Sequence, residues 1–175
     1  MAILGRRRRH GHGIPTEARA VVAARPGEHV LSVAHDDASD ATLVAGRFGV
    51  YAVRPDGEVA LERPWHLVDG GAWDHETFTL TVTWVDRHPR TRWVLKVPNA
   101  FPETFRERVQ ASVVLTDTVS LDGRRTARVV LRQDLATGEM LGQTLLGRGV
   151  RSSDPGVIEQ TEAALDRLRE QVGLA

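Results

Sequence analysis

The side chains with the most chemical potential fall into four groups. The first is a run of adjacent arginines, Arg6, Arg7, Arg8 and Arg9, in MAILGRRRRHGHG. Near an anionic surface each is worth about 1 kcal/mol, so anionic headgroups or nucleic-acid phosphates are its natural targets. The simpler expectation is a solvated tail, and no aromatic residue alternates with the arginines as in single-strand binders. The second group, His10 and His12, offers two donors, too few for a closed metal site. The third, His35, Asp36, Asp37 and Asp40, gathers calcium-type oxygens. It lacks the spacing, the central glycine and the terminal glutamate of an EF-hand loop, and is expected to be a solvated turn. The fourth comprises His66 with Asp69 and His75 with Asp74, acid–base pairs only if folding aligns them. Neither has an evident nucleophile. Nucleophile elbow, HExxH helix, phosphate loop and dinucleotide fingerprint are all absent. No catalytic residue, metal or cofactor is assigned, and the expectation is a chain that is not an enzyme.

Four tryptophans complete the inventory. Trp84 and Trp93 flank DRHPRT on strands expected to pair, which predicts a cross-strand aromatic contact. Trp65 and Trp73 bracket DGG, taken as a turn. Packing in the core is the expected role for all four. If one of them is exposed, Trp65, His66 and Trp73 form the candidate partner or ligand surface.

The stretch LVAGRFGVYAV, residues 43–53, decides between a nucleotide-binding loop and a scaffold. Its glycines precede a short strand rather than a long helix, and the Lys-Ser/Thr of a phosphate loop is missing. GRFG is therefore read as a hairpin turn.

The 175 residues suit one domain with appendages, long enough to bury a core without staples. Cysteine is absent, which removes disulfides, thiolate metal sites and cysteine nucleophiles together. The 23 basic and 23 acidic residues cancel, so no whole-protein field draws the chain to nucleic acid or membrane. No apolar run approaches the roughly 18–20 residues of a membrane span. The N-terminus lacks the apolar segment of a secretory signal. The expected location is cytoplasmic, with peripheral attachment to a membrane open to the arginine arm.

Residues 1–13 read as a flexible basic arm. A short helix follows from Ile14, with Pro15 in its first turn, ending at Pro26-Gly27. Strands are expected at EHVLSVAHD, ATLVAG, VYAV and EVALERPW, with RPDG a turn. In TFTLTVTWV, Phe78, Leu80, Val82 and Trp84 alternate with threonines, the clearest period of two in the chain. RWVLKV returns as its partner. Phe101, Phe105, Val109 and Val113 recur every four residues, predicting an amphipathic helix over about 101–114 opened by Pro102. After Asp122-Gly123 a hairpin, ARVVLRQ and EMLGQTLL, leads to a last helix. Asp154 is its expected N-cap, Pro155 its N1 and Gly173 its end, with Val157, Thr161, Ala164, Leu165, Leu168 and Val172 as its apolar stripe. The fold class is α+β: a curled antiparallel sheet or partly open barrel closed by an amphipathic helix, then a β-hairpin and a C-terminal helix.

Two segments carry a family resemblance. Ala45-Gly46-Arg47-Phe48-Gly49-Val50-Tyr51 and Arg63-Pro64-Trp65-His66-Leu67-Val68 resemble paired turn-and-strand elements of the bacterial pleckstrin-homology-like (PH-like) domains. The chain is also similar to a group of uncharacterised actinobacterial proteins with a basic N-terminus, a central Pro-Trp-His and an Arg-Val-Gln-Ala-Ser-Val segment, here Arg6 to Arg9, Pro64 to His66 and Arg108 to Val113. The resemblance spans roughly residues 27–115. With the arm over 1–13, the expected organisation is a PH-like domain over 14–115 and a hairpin and helix over 116–175 packed on the same domain. Some relatives of this fold bind lipid headgroups through a basic loop between early strands. Here that loop, HDDASDA, is acidic.

The function expected is a protein-binding adaptor of PH-like type, its protein partner engaged at a sheet edge or groove. The arginine arm would add contact with an anionic membrane surface or nucleic acid. One alternative is a small-ligand-binding or enzymatic barrel with a pocket near Trp65, His66 and Trp73. Another is a nucleic-acid-associated protein whose basic surface continues through Arg124, Arg125, Arg128 and Arg132.

Overall fold

The structure, a computed structural model, describes residues 13–86 and 88–174. Arg6 to Arg9, His10 and His12 lie outside the described residues. Helix α1 (Thr16–Ala23) comes first, with Pro15 as its N-cap residue rather than inside its first turn. Strands β1 (Val30–His35), β2 (Thr42–Gly46), β3 (Gly49–Val53) and β4 (Val59–Pro64) form one sheet in that order. A 3-10 turn, Trp65–Leu67, leads into β5 (Val68–Asp74), β6 (Thr79–Trp84) and β7 (Thr91–Val94), the second sheet. Helix α2 (Phe101–Ala111) runs directly into β8 (Val113–Ser120). With β9 (Thr126–Gln133) and β10 (Met140–Leu146) this makes a third sheet, ordered β10-β9-β8. Helix α3 (Val157–Gln171) is the last element of the described residues. Every strand pairing is antiparallel. The α+β class holds, but among the described residues the strands form three separate sheets and no closed barrel. No described helix is long and apolar enough to cross a membrane.

The main core draws on both early sheets and α2. Leu43 and Ala45 from β2, Val50 from β3, Leu80, Val82 and Trp84 from β6, Trp93 from β7, and Phe101 and Phe105 from α2 all belong to it. Trp65 is its centre, with no solvent exposure. The ring meets Phe105 edge-on at 5.4 Å, and its Nε1–H donates to the Gly46 carbonyl at 3.0 Å. Burial of the indole is thus achieved without an orphaned donor. A second cluster forms where Ala18 and Val22 of α1 meet Val44, Tyr51 and Val53 on the other face of the first sheet. A third joins α3 to β9 through Val129, Leu131, Ala164, Leu165 and Leu168. Residues beyond Ser112 give the main core one partly buried side chain, Leu135.

Several expectations need correction. GRFG is a hairpin turn between β2 and β3, but DGG lies inside β5, beside an irregularity between Val68 and Gly70. Phe78 is not part of the β6 alternation: it stands at φ 52° with an exposed ring. The β6–β7 register sets Trp93 opposite Leu80, so Trp84 and Trp93 are not a cross-strand pair. Instead Trp84 stacks under the Arg63 guanidinium and meets His88 edge-on. The predicted C-terminal hairpin is the β9–β10 part of a three-stranded sheet. Val113, counted with the α2 stripe, opens the third strand β8. At α3 the N-cap is Gly156 at φ 73°. Asp154 is outside the helix, accepting from the Arg151 amide and from Arg125.

Candidate functional site

Strand β5 is an edge of its sheet, hydrogen-bonded to β6 on one side only. Helix α2 lies beside it. Between them runs a groove of about 150 Å³ lined by Gly71, Trp73, Leu80, Phe105 and Val109, with Arg106 and Gln110 at its helix side. Gly71 makes the close approach possible, because a Cβ there would sit 2.8 Å from the Phe105 ring. Trp73 is half-buried, and its Nε1–H donates to His75 Nδ1 at 2.9 Å, which orients the indole. Gly71, Ala72 and Asp74 are exposed along the strand. An unpaired strand edge next to an apolar groove can accept an extended chain, with backbone bonds to the strand and alternate side chains in the groove. The volume suits one or two apolar side chains. It is well below the about 300–1,000 Å³ of small-molecule pockets.

Of the three residues singled out as a surface, only Trp73 lines this groove. Trp65 is a core residue. His66 points to the third sheet, where its Nδ1 is buried 3.9 Å from an Asp134 carboxylate oxygen, beyond hydrogen-bond reach. Burial holds the His66 pKa below the usual histidine value, with Arg132 acting the same way and Asp134 and Glu139 opposing. His66 and Asp69 are not brought together as an acid–base pair. Asp69 is ion-paired with Arg128. His75 likewise serves as acceptor for Trp73.

This meeting of β5 with the third sheet forms a polar seam. Gln143 of β10 donates its Nε2–H to the His66 carbonyl at 2.7 Å, yet its Oε1 is buried without a partner. Arg132 of β9 is 1% exposed and forms no ion pair among the described residues. Its NH1 donates to Ser112 Oγ at 2.8 Å, while Nε has no partner. Desolvation lowers its pKa, with nearby Asp69 opposing that shift. Arg125 is held by Asp122 and Asp154. Of the four arginines expected to extend a basic surface, Arg125 and Arg128 are paired, Arg132 is buried and Arg124 is exposed, so they make no continuous free cationic face.

Two buried carboxylates escaped sequence reasoning. Asp36, expected in a solvated turn, is 2% exposed. Its Oδ1 accepts from the Val94 amide at 2.7 Å, tying the β1–β2 turn to β7. Asp37 adds a bond from the Lys96 amide. Glu28 lies under the GRFG turn, where it accepts from the amides of Phe48 and His29 and from the Tyr51 hydroxyl. Burial and this carboxylate raise the Tyr51 pKa well above the usual phenol value. The glycine turn does hold an anion, then, but one supplied by the chain itself. A Cβ on Gly46 would lie 2.8 Å from the Glu28 carboxyl carbon. Among the described residues no group of three His, Asp or Glu is placed to hold a metal.

No family model, curated protein or solved structure matches this chain.

Proposed function

We propose that this chain is a non-enzymatic, protein-binding adaptor of PH-like type that takes an extended segment of its partner into the groove between β5 and α2. One observation carries the reading: an unpaired strand edge flanked by an apolar groove, with Trp73 and Val109 available to a ligand and Gly71 keeping the floor shallow. The element order supports the PH-like part, since a four-stranded and a three-stranded antiparallel sheet are followed by a helix that shares their core. The paired Asp36 and Asp37 leave the β1–β2 turn with no cationic pocket for a headgroup. Any attachment to an anionic surface therefore falls to Arg6 to Arg9, which suits a cytoplasmic protein held peripherally.

Selection from a random peptide display library tests the groove. The reading expects enriched peptides with large apolar residues at alternate positions, and binding lost in both Trp73→Ala and Val109→Asp. Peptides whose binding ignores both substitutions would show that the groove is not the site. Deleting residues 1–13 tests the arm. Folding should be unchanged, while salt-sensitive association with anionic vesicles or nucleic acid should weaken; equal binding by both forms rejects the arm's role.

A further inference from the structure

The seam between β5 and the third sheet gathers most of the unmatched buried polar atoms of the described residues. Glu28, Asp36 and the Trp65 indole, buried elsewhere, all have partners, and the two other arginines with an unmatched buried Nε, Arg63 and Arg108, are held by Asp86 and the Arg47 carbonyl. Three of the five buried side-chain atoms without a hydrogen-bond partner among the described residues lie at the seam: His66 Nδ1, Gln143 Oε1 and Arg132 Nε. Each orphaned atom offsets part of what docking gains, because its lost water is not replaced. The segment across the seam also has its own apolar cluster, between β9 and α3. A unit with its own core, joined through a charge-rich face, resembles a domain interface more than a domain interior. That face lies across the Trp65–Leu67 turn and the first residues of β5, through Arg128 on Asp69 and Gln143 on the His66 carbonyl.

We infer that β8–β10 with α3 form a cover docked over the start of β5, which opens when His66 gains a proton and so lengthens the strand edge offered to a partner. The inference rests on the groove reading above and supplies its regulation. The charged groups facing His66 across the seam are Asp134 and Glu139, which favour its proton, and Arg132, which opposes it together with burial. Opposition wins, so the closed cover holds His66 neutral. The sign follows. Closed His66 has a pKa below its ordinary value, which solvent restores in the open form. Closure is therefore fully stabilised above the ordinary histidine value and is lost as pH falls from there toward the depressed closed-state value.

Amide hydrogen exchange of the full chain without any peptide, at pH 7.5 and 5.5 and corrected for intrinsic rates, tests the cover by itself. The expected result is a fall of about ten-fold in protection of residues 65–70 on acidification, the scale of a single buried histidine, with β2 and β3 unchanged. His66→Gln should abolish the pH response. Asp134→Asn should enlarge it, because it removes a group that favours the proton in the closed form. Asp69→Cys with Arg128→Cys, joined by a short bis-maleimide in this cysteine-free chain, should keep 65–70 protected at both pH values. An unchanged wild type, a response that survives His66→Gln, or equal loss in β2 and β3 would overturn the cover. Peptide binding plays no part in these readouts, so their failure leaves the groove standing. Loss of the groove through Trp73→Ala leaves the pH response to be measured independently.

Discussion

Glu28 and Arg132 are both charged and almost fully buried, and their surroundings differ in kind. Glu28 receives two backbone amides and a phenol hydroxyl, so a carboxylate far from water is matched by donors. Arg132 carries one bond to a neutral hydroxyl and an orphaned Nε. A satisfied buried charge specifies a rigid local structure, whereas a poorly matched one makes its interface easy to part. The first lies beneath the β2–β3 turn of the first sheet. The second lies where a later unit docks on β5.

The comparison can be broken by substitution. Its largest expected effect is at Glu28: Glu28→Ala leaves the Tyr51 hydroxyl and the Phe48 amide without their acceptor, and should cost about 3 kcal/mol in denaturant unfolding. A cost within error of zero would mean that the carboxylate is dispensable to the turn. Next is Gly71→Val, which drives a side chain into Phe105 and should cost about 2 kcal/mol by overpacking, while also filling the groove and abolishing peptide binding. The third runs the other way. Arg132→Met removes a poorly matched charge and should raise unfolding stability by about 1 kcal/mol; a loss as large as that of Glu28→Ala would make the two buried charges equivalent. The smallest is His66→Gln, expected to leave stability at neutral pH nearly unchanged and to flatten the decline toward pH 5.5.

The features that were legible in the sequence are those carried by local pattern. Thr79–Trp84 buries every second residue, and all of the α3 stripe but Val172 is buried. GRFG announced its turn through two glycines. What escaped depends on distant partners or on competing local signals. Strand β8 was hidden because Val113 continues the four-residue spacing of α2, and neither Gly nor Pro separates helix from strand. Ser112 makes the break instead, its hydroxyl donating to the Val109 carbonyl at 2.7 Å. Glu28 and Asp36 find partners 20 or more residues away, so nothing near them in the chain marks them as buried. Of the groove, Trp73 is legible in the sequence as a candidate surface residue. Phe105 and Val109 read as an apolar helix face, but which strand they meet is a tertiary fact.

The most direct test of the groove compares amide exchange of the full chain with and without a peptide taken from the display selection. The account predicts new protection concentrated at Gly71–Asp74 of β5 and along the facing side of α2, absent in Trp73→Ala. Protection appearing instead on the outer face of α3 or along β4, with β5 unchanged, would contradict it.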